Sequence, residues 1–205
     1  MITTIPDIEI YLLYYCDIKS VMSLCSIAKD EYKLLSQQEF IKQIRLLSCY
    51  YTHSHDYNII NLACFYGYVN VLEWFDKSKY EFIYSIEAIN NAVYNDHIVI
   101  LDWFAKSKYK FLYNASTINI AVQKAHINVL NWFDTSIYKF IYTHDAIFVA
   151  CEYGHLKVLE WFKNSRYEFK YSNNAIEVAA HNNHQHVLDW FKENNEFINS
   201  TLKLQ

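Results

Sequence analysis

A chain of 205 residues, 53% of them apolar and with a formal net charge of −4, can bury a sizeable core and is too hydrophobic to remain disordered. The mildly acidic balance gives no electrostatic ground for nucleic-acid binding, and the longest early apolar run, Ile10 to Cys16, is too short to span a membrane and follows no basic segment. Two glycines and one proline are too few for a turn-rich β-sandwich. Five scattered cysteines without a Cys-x-x-Cys pair predict reduced thiols in a soluble, intracellular protein.

Residues 1–50 form a unit of their own. Pro6 suits the first turn of a helix, where its missing N–H costs nothing. Ile8, Leu12 and Tyr15 then recur at i, i+4 and i+7. Asp17 is placed to cap a second helix that carries Val21, Leu24, Cys25 and Ala28 on one face. A third, Glu39 to Leu47, carries Phe40, Ile41, Ile44 and Leu47.

Ile5-Pro6-Asp7, the run from Asp17 to Leu24, Ile27-Ala28-Lys29 and Phe40-Ile41-Lys42 together resemble an F-box. That family reads roughly Leu-Pro-Asp-Glu, a hydrophobic helix, Asp-x-Lys-Asp-Leu-x-x-Leu-x-x-Val-Ser-Lys and a later Trp-Lys. The chain departs from it in having Ile5 for Leu, a first helix one residue short, Tyr32 one place late and Phe40 for the final Trp. The resemblance implies that Ile5, Pro6, Val21, Leu24 and Ile27 supply or support an apolar surface for the groove of an adaptor subunit of a cullin-type ubiquitin ligase. The alternative is a helical cap shielding the end of the array that follows.

That array is announced by one dipeptide. Trp74-Phe75, Trp103-Phe104, Trp132-Phe133, Trp161-Phe162 and Trp190-Phe191 lie 29 residues apart and use every tryptophan of the chain. A fixed period in this range marks stacked repeats. The units are 57–85, 86–114, 115–143, 144–172 and 173–201. In the fourth, Ala146, Ile147, Val149 and Ala150 form one helical stripe, and Leu156, Val158, Leu159 and Phe162 form a second after Gly154. Each unit is thus predicted to be two short antiparallel helices and a connector, despite a strand-favouring Ile and Tyr content.

Both glycines, Gly67 and Gly154, fall at one repeat position just past the first helix, where a residue of positive φ is expected. Asp96 and Asn183 tolerate that conformation; Ala125 does so poorly, so the third unit is expected to be strained or differently capped. Tyr68, His97, His126, His155 and His184 follow one position on.

Gly154-His155-Leu156-Lys157-Val158-Leu159 and Ala146-Ile147-x-Val149-Ala150 resemble an ankyrin repeat, a likeness extending over about 57–201. The family's Thr-Pro-Leu-His tetrapeptide is absent, and the unit is shorter than the usual length of about 33 residues, the shortfall falling at the hairpin tip. The combination of an F-box-like segment with such short repeats resembles proteins of giant DNA viruses, which implies a host ligase as partner and the host cytoplasm or nucleus as location. The connectors alternate aromatics, as in Tyr109-Lys-Phe111-Leu-Tyr113 and Tyr138-Lys-Phe140-Ile-Tyr142, and read either as packing between repeats or as a recognition surface. Trp132 and Phe133 are expected in the core.

No phosphate loop, Ser/His/Asp set or carboxylate pair stands out, so the chain reads as a non-enzyme needing no cofactor or metal. His181, His184 and His186 straddle a helix break and lack Cys or carboxylate support for a metal site. Lys77, Lys79, Lys106, Lys108, Lys163 and Arg166 complement helix C-termini and read as a solvated face, not a nucleic-acid patch.

First-helix columns that vary between copies are the candidate partner-binding positions. They are Asn61, Asn90, Asn119, Phe148 and Glu177; Phe65, Tyr94, Gln123, Glu152 and His181; and Tyr66, Asn95, Lys124, Tyr153 and Asn182. By resemblance they line the concave face of an ankyrin array and bind a protein target, with Phe65, Tyr66, Tyr94 and Tyr153 as anchors. The alternative is that several only cover the neighbouring unit. The expected architecture is all-α, a three-helix F-box-like unit followed by five ankyrin-like helix pairs in a short solenoid. The expected function is a substrate-recruiting adaptor, or else a plain binding scaffold.

Overall fold

The computed structural model describes residues 59–77 and 81–195, and all its regular structure there is helical. The expected N-terminal helices, with Ile5, Pro6, Val21, Leu24 and Ile27, lie outside the described residues, as does Lys79. The helices are α1 (Ile59–Tyr66), α2 (Val69–Lys77), α3 (Ile86–Tyr94), α4 (Ile98–Lys106), α5 (Ala115–Gln123), α6 (Ile127–Thr135), α7 (Asp145–Glu152), α8 (Leu156–Asn164), α9 (Asn173–His181) and α10 (Gln185–Glu193). They alternate as the 29-residue period requires, one pair to a unit. The chain divides into two compact parts, Met1–Ala88 and Ile89–Gln205, each described by itself below.

In the first part α1 packs on α2 around Ile60, Leu62, Ala63, Val71, Leu72 and Phe75, all buried. Gly67 (φ +72) makes the turn between them, and the Tyr68 N–H returns to the Ala63 carbonyl at 2.8 Å.

In the second part each hairpin packs on the next, first helix on first (α5 with α7, α7 with α9) and second on second (α4 with α6, α6 with α8, α8 with α10). A helix of eight or nine residues is too short to be stable alone, so this lateral burial carries the fold. Most of the two predicted stripes is core: Ala146, Ile147 and Ala150 of α7, Val158, Leu159 and Phe162 of α8 and most of their counterparts in the other hairpins are buried, whereas Val149 and Leu156 are half-buried, as is Trp132, also expected in the core. Phe104, Phe133 and Phe162 are among the largest side chains wholly removed from water. Cys151 sits in the same core, and burial pushes its thiol up to about 12.

Every hairpin turns through a residue of positive φ: Asp96 at +56°, Ala125 at +54°, Gly154 at +71° and Asn183 at +59°. The third hairpin therefore holds an alanine in the left-handed region instead of finding another cap. The residue after the turn, always a histidine here, sends its backbone N–H to the first helix: His97 to Ala92, His126 to Ala121, His155 to Ala150 and His184 to Ala179, at 2.8–2.9 Å.

A serine ends three of the second helices. The hydroxyls of Ser107, Ser136 and Ser165 donate to the carbonyls of Phe104, Phe133 and Phe162 and accept the N–H groups of Tyr109, Tyr138 and Tyr167. At the start of the first helices, Asn114 accepts from the Ser116 N–H and Thr143 from the Asp145 N–H. Among the described residues no helix is long and apolar enough to cross a membrane.

Candidate protein-interaction surface

Within the second part, bonds of constant sequence offset tie each hairpin to its neighbour. The Trp132 indole N–H donates to Asp102 Oδ1 and that of Trp161 to Asn131 Oδ1, both at 2.7 Å, while Trp190 donates to Glu160. The Tyr113 hydroxyl donates to the Lys139 carbonyl at 2.9 Å and the Tyr142 hydroxyl to that of Glu168 at 2.7 Å. Nε2 of His126, His155 and His184 meets the carbonyls of Tyr94, Gln123 and Glu152 at 3.0, 2.8 and 2.9 Å. A carbonyl only accepts, so each of these rings carries its proton on Nε2.

The connector aromatics belong to the same system. Phe111 lies against Tyr138 (4.2 Å between centroids) and Trp132 (5.4 Å), the three rings near parallel, and Phe140 repeats this with Tyr167 and Trp161. Tyr113 packs on Phe133 and Tyr142 on Phe162. Of the two readings of these aromatics, packing between repeats is what the geometry displays. Burial raises the phenols of Tyr113, Tyr138, Tyr142, Tyr167 and Tyr171 above the ordinary tyrosine range.

The variable columns lie on the first helices and their turns, in both parts. In the first part, the Asn61 amide is engaged by the connector: its Nδ2 donates to Ser85 Oγ at 2.9 Å and its Oδ1 accepts the Ser85 N–H. Phe65 and Tyr66 meet edge to face, and Tyr66 stacks on Tyr68. In the second part, Asn90 accepts from the buried Thr117 hydroxyl at 2.8 Å. Asn119 has no such donor, because Ala146 stands where Thr117 stands one unit earlier, and its Oδ1 is buried and unbonded. Asn95 donates to the Asn91 carbonyl.

Nearer the turns the columns interlock. Lys124 Nζ donates to the Tyr94 hydroxyl at 2.8 Å and lies 4.0 Å from the ring centroid. Gln123 donates to the Tyr153 hydroxyl at 2.6 Å, the Tyr153 ring stacks on His155, and Asn182 donates to the Glu152 carbonyl. Tyr94 and Tyr153 remain 41% and 44% exposed. Phe148 is half-buried, and Glu177, His181 and Asn182 are exposed. His184 and His186 direct Nε2 to the backbone carbonyls of Glu152 and Gly154. Among the described residues no three His, Cys, Asp or Glu side chains gather as metal ligands would.

Sequence reasoning missed three columns that hold this arrangement. The residue before each Trp-Phe pair (Glu73, Asp102, Asn131, Glu160, Asp189) always bears an acceptor, and in the second part that acceptor receives the next indole. The helix-ending serines and the capping column Ser85, Asn114, Thr143 and Ser172 are equally periodic, so all three were visible as repeats of polar type. The chain matches no known protein family, no curated protein and no solved structure.

Proposed function

We propose that this chain is a protein-interaction module: a short ankyrin-like array that binds a target protein on its first-helix face. Residues 1–50 dock it, as an F-box does, to the adaptor subunit of a cullin-type ubiquitin ligase. The observation that carries the binding function is the kind of bond made at Tyr94, Gln123 and Glu152. The histidine of the next hairpin holds each of these by its backbone carbonyl, so the scaffold needs no particular side chain there. Side chains released from a structural duty, partly exposed and different in each copy are what a recognition surface requires. Large rings braced by neighbours, as Tyr153 is by Gln123 and His155, lose little entropy on binding.

The docking half of the proposal rests on the pattern from Ile5 to Lys42. Co-expression of the full chain with a host adaptor subunit tests it. The two should copurify, and Pro6→Asp with Leu24→Asp should abolish the complex while leaving the helical signal of the array unchanged. Absence of a complex with the unaltered chain would favour the plain scaffold, with the first fifty residues as a cap.

A further inference from the structure

We infer that the second part carries a joint between α5–α6 and α7–α8, at which the row divides so that α5–α6 opens while α7–α10 stays folded. This goes beyond the proposed interaction function and does not depend on it.

Every junction in this part shares two ties, an indole bond and a histidine bond to a backbone carbonyl. The junctions differ in the strength of the first tie and in what is added to both. The indoles of Trp132 and Trp190 donate to the carboxylates of Asp102 and Glu160, whereas Trp161, at the joint, donates to the neutral amide of Asn131. A hydrogen bond to a charged acceptor is roughly twice as strong as one to a neutral acceptor.

The turns differ in the same direction. Asn128 Nδ2 donates to Asp96 Oδ2 and His186 Nε2 to the Gly154 carbonyl, both at 2.8 Å, so each ties the start of a second helix to the turn 32 residues before it. Lys157 holds the matching position at the joint, is exposed, and has no hydrogen-bond or ion-pair partner among the described residues. The turn it faces in sequence register holds Ala125 at φ +54°, a conformation that any Cβ disfavours.

Between the first helices the contrast repeats. The Thr117 hydroxyl of α5 donates to Asn90 of α3 at 2.8 Å. One unit on, Ala146 of α7 offers no donor to Asn119 of α5, whose Oδ1 stays buried and unbonded; one further on, Phe148 asks for none. An acceptor left buried this way weakens the hairpin that holds it. The joint does have links of its own, Gln123 to Tyr153 and Arg166 to Asp134, but both are open to solvent, where such links contribute little.

Four departures thus meet at one boundary: Asn131, Lys157, Ala125 and Asn119. Helices this short do not persist without lateral burial, so a weakened boundary is where the cooperative units of a row separate. The left-handed alanine and the unbonded acceptor both belong to α5 and its turn, which makes α5–α6 the side that opens. The first-helix face crosses the boundary, with Gln123 and Lys124 before it and Tyr153 after it, so opening changes the shape that face offers a target.

The test is native-state amide hydrogen exchange of the full chain at low denaturant, read by NMR. Amides of α5 and α6 should exchange as one group, at least about tenfold faster than those of α7 and α8. Four substitutions repair the boundary. Ala125→Gly with Lys157→His copies the arrangement of Gly154 and His186, Ala146→Thr supplies the hydroxyl that Thr117 gives Asn90, and Asn131→Asp makes the indole acceptor charged. Together they should slow α5 and α6 about tenfold or more and bring them to the rate of α7 and α8. Without Ala146→Thr, the one change that adds bulk to the core, the other three should still narrow the gap several-fold. Asn183→Gly alters a turn away from the boundary and should leave the gap as it was. One common rate across α5–α8, a boundary at another junction, or repairs that slow every helix alike would overturn the inference.

Discussion

Two edges of the second part are built by opposite rules. Along the connectors one set of bonds recurs copy after copy: the Tyr113 and Tyr142 hydroxyls reach 26 residues ahead, and the Trp132 and Trp161 indoles reach 30 behind. Along the first-helix face the constant links, from His126, His155 and His184, go to backbone carbonyls, and the links between variable side chains differ every time, Lys124 to Tyr94 in one pair and Gln123 to Tyr153 in the next. A bond of constant offset specifies how neighbours sit, so changing it disturbs the whole row. A bond made once specifies only its own patch. Stability should therefore reside in the first edge and recognition in the second.

The strongest way to break the connector edge is Phe133→Ala. This ring is 1% exposed and is touched by Trp132, Phe111 and Tyr113, so its removal leaves a cavity between two hairpins. The expected loss is about 3–5 kcal/mol, a large share of a domain stability of roughly 5–15. Thermal melting followed by far-UV circular dichroism should show the helical signal largely lost at temperatures where the unaltered chain is folded. A shift of a degree or two would remove Phe133 from the core role assigned to it.

The turns provide a paired comparison. A Cβ on Gly154 would lie 2.7 Å from Nδ1 of His184, whose ring is held in place by the Glu152 carbonyl. Gly154→Ala should therefore cost about 2–3 kcal/mol, from left-handed strain and a displaced histidine bond. Ala125 already bears that strain at φ +54°, so Ala125→Gly should raise stability by up to about 1 kcal/mol. Denaturant titration of both variants measures the difference, and effects of the same sign would refute the reading.

How far the sequence foretold this follows the same division. Among the described residues the Trp-Phe period located ten helices, the Gly67 and Gly154 turns and the Ala125 anomaly, because a 3.6-residue stripe and a demand for positive φ both leave marks on residue type. The partners of the indoles and histidines were not foreseen. Asp102, Asn131 and Glu160 share only an acceptor atom, and a backbone carbonyl leaves no mark at all. On the candidate face the columns were legible as variable. The engagement of Asn61 by Ser85 and of Asn90 by Thr117 was not, since each depends on a residue more than twenty positions away.

A milder disturbance of the connector edge is chemical. Burial raises the phenols of Tyr113, Tyr138, Tyr142, Tyr167 and Tyr171, so the folded chain holds these protons more tightly than the unfolded chain. Their contribution is fully present below the ordinary tyrosine value of about 10 and is lost as pH climbs above it. Stability should fall on the alkaline side from about pH 10. Tyr142→Phe should make that fall shallower and should cost about 0.5–1 kcal/mol at neutral pH for the lost bond to Glu168. Melting temperatures across pH 7 to 11 measure both.

The smallest effect is expected on the opposite edge, and its smallness is the point. Tyr153 is 44% exposed, its hydroxyl meets only Gln123 of the neighbouring hairpin, and the His184 bond that pins its turn goes to the Glu152 carbonyl instead. Tyr153→Ser removes a ring the row of hairpins does not need, so stability should change by no more than about 0.5 kcal/mol. The same substitution should remove an anchor of the proposed target-binding face and weaken target binding by several-fold. A variant that melted early would return Tyr153 to the scaffold. One that melted normally and bound normally would leave the rings on this face as ordinary surface, and recognition would have to be sought elsewhere on the chain.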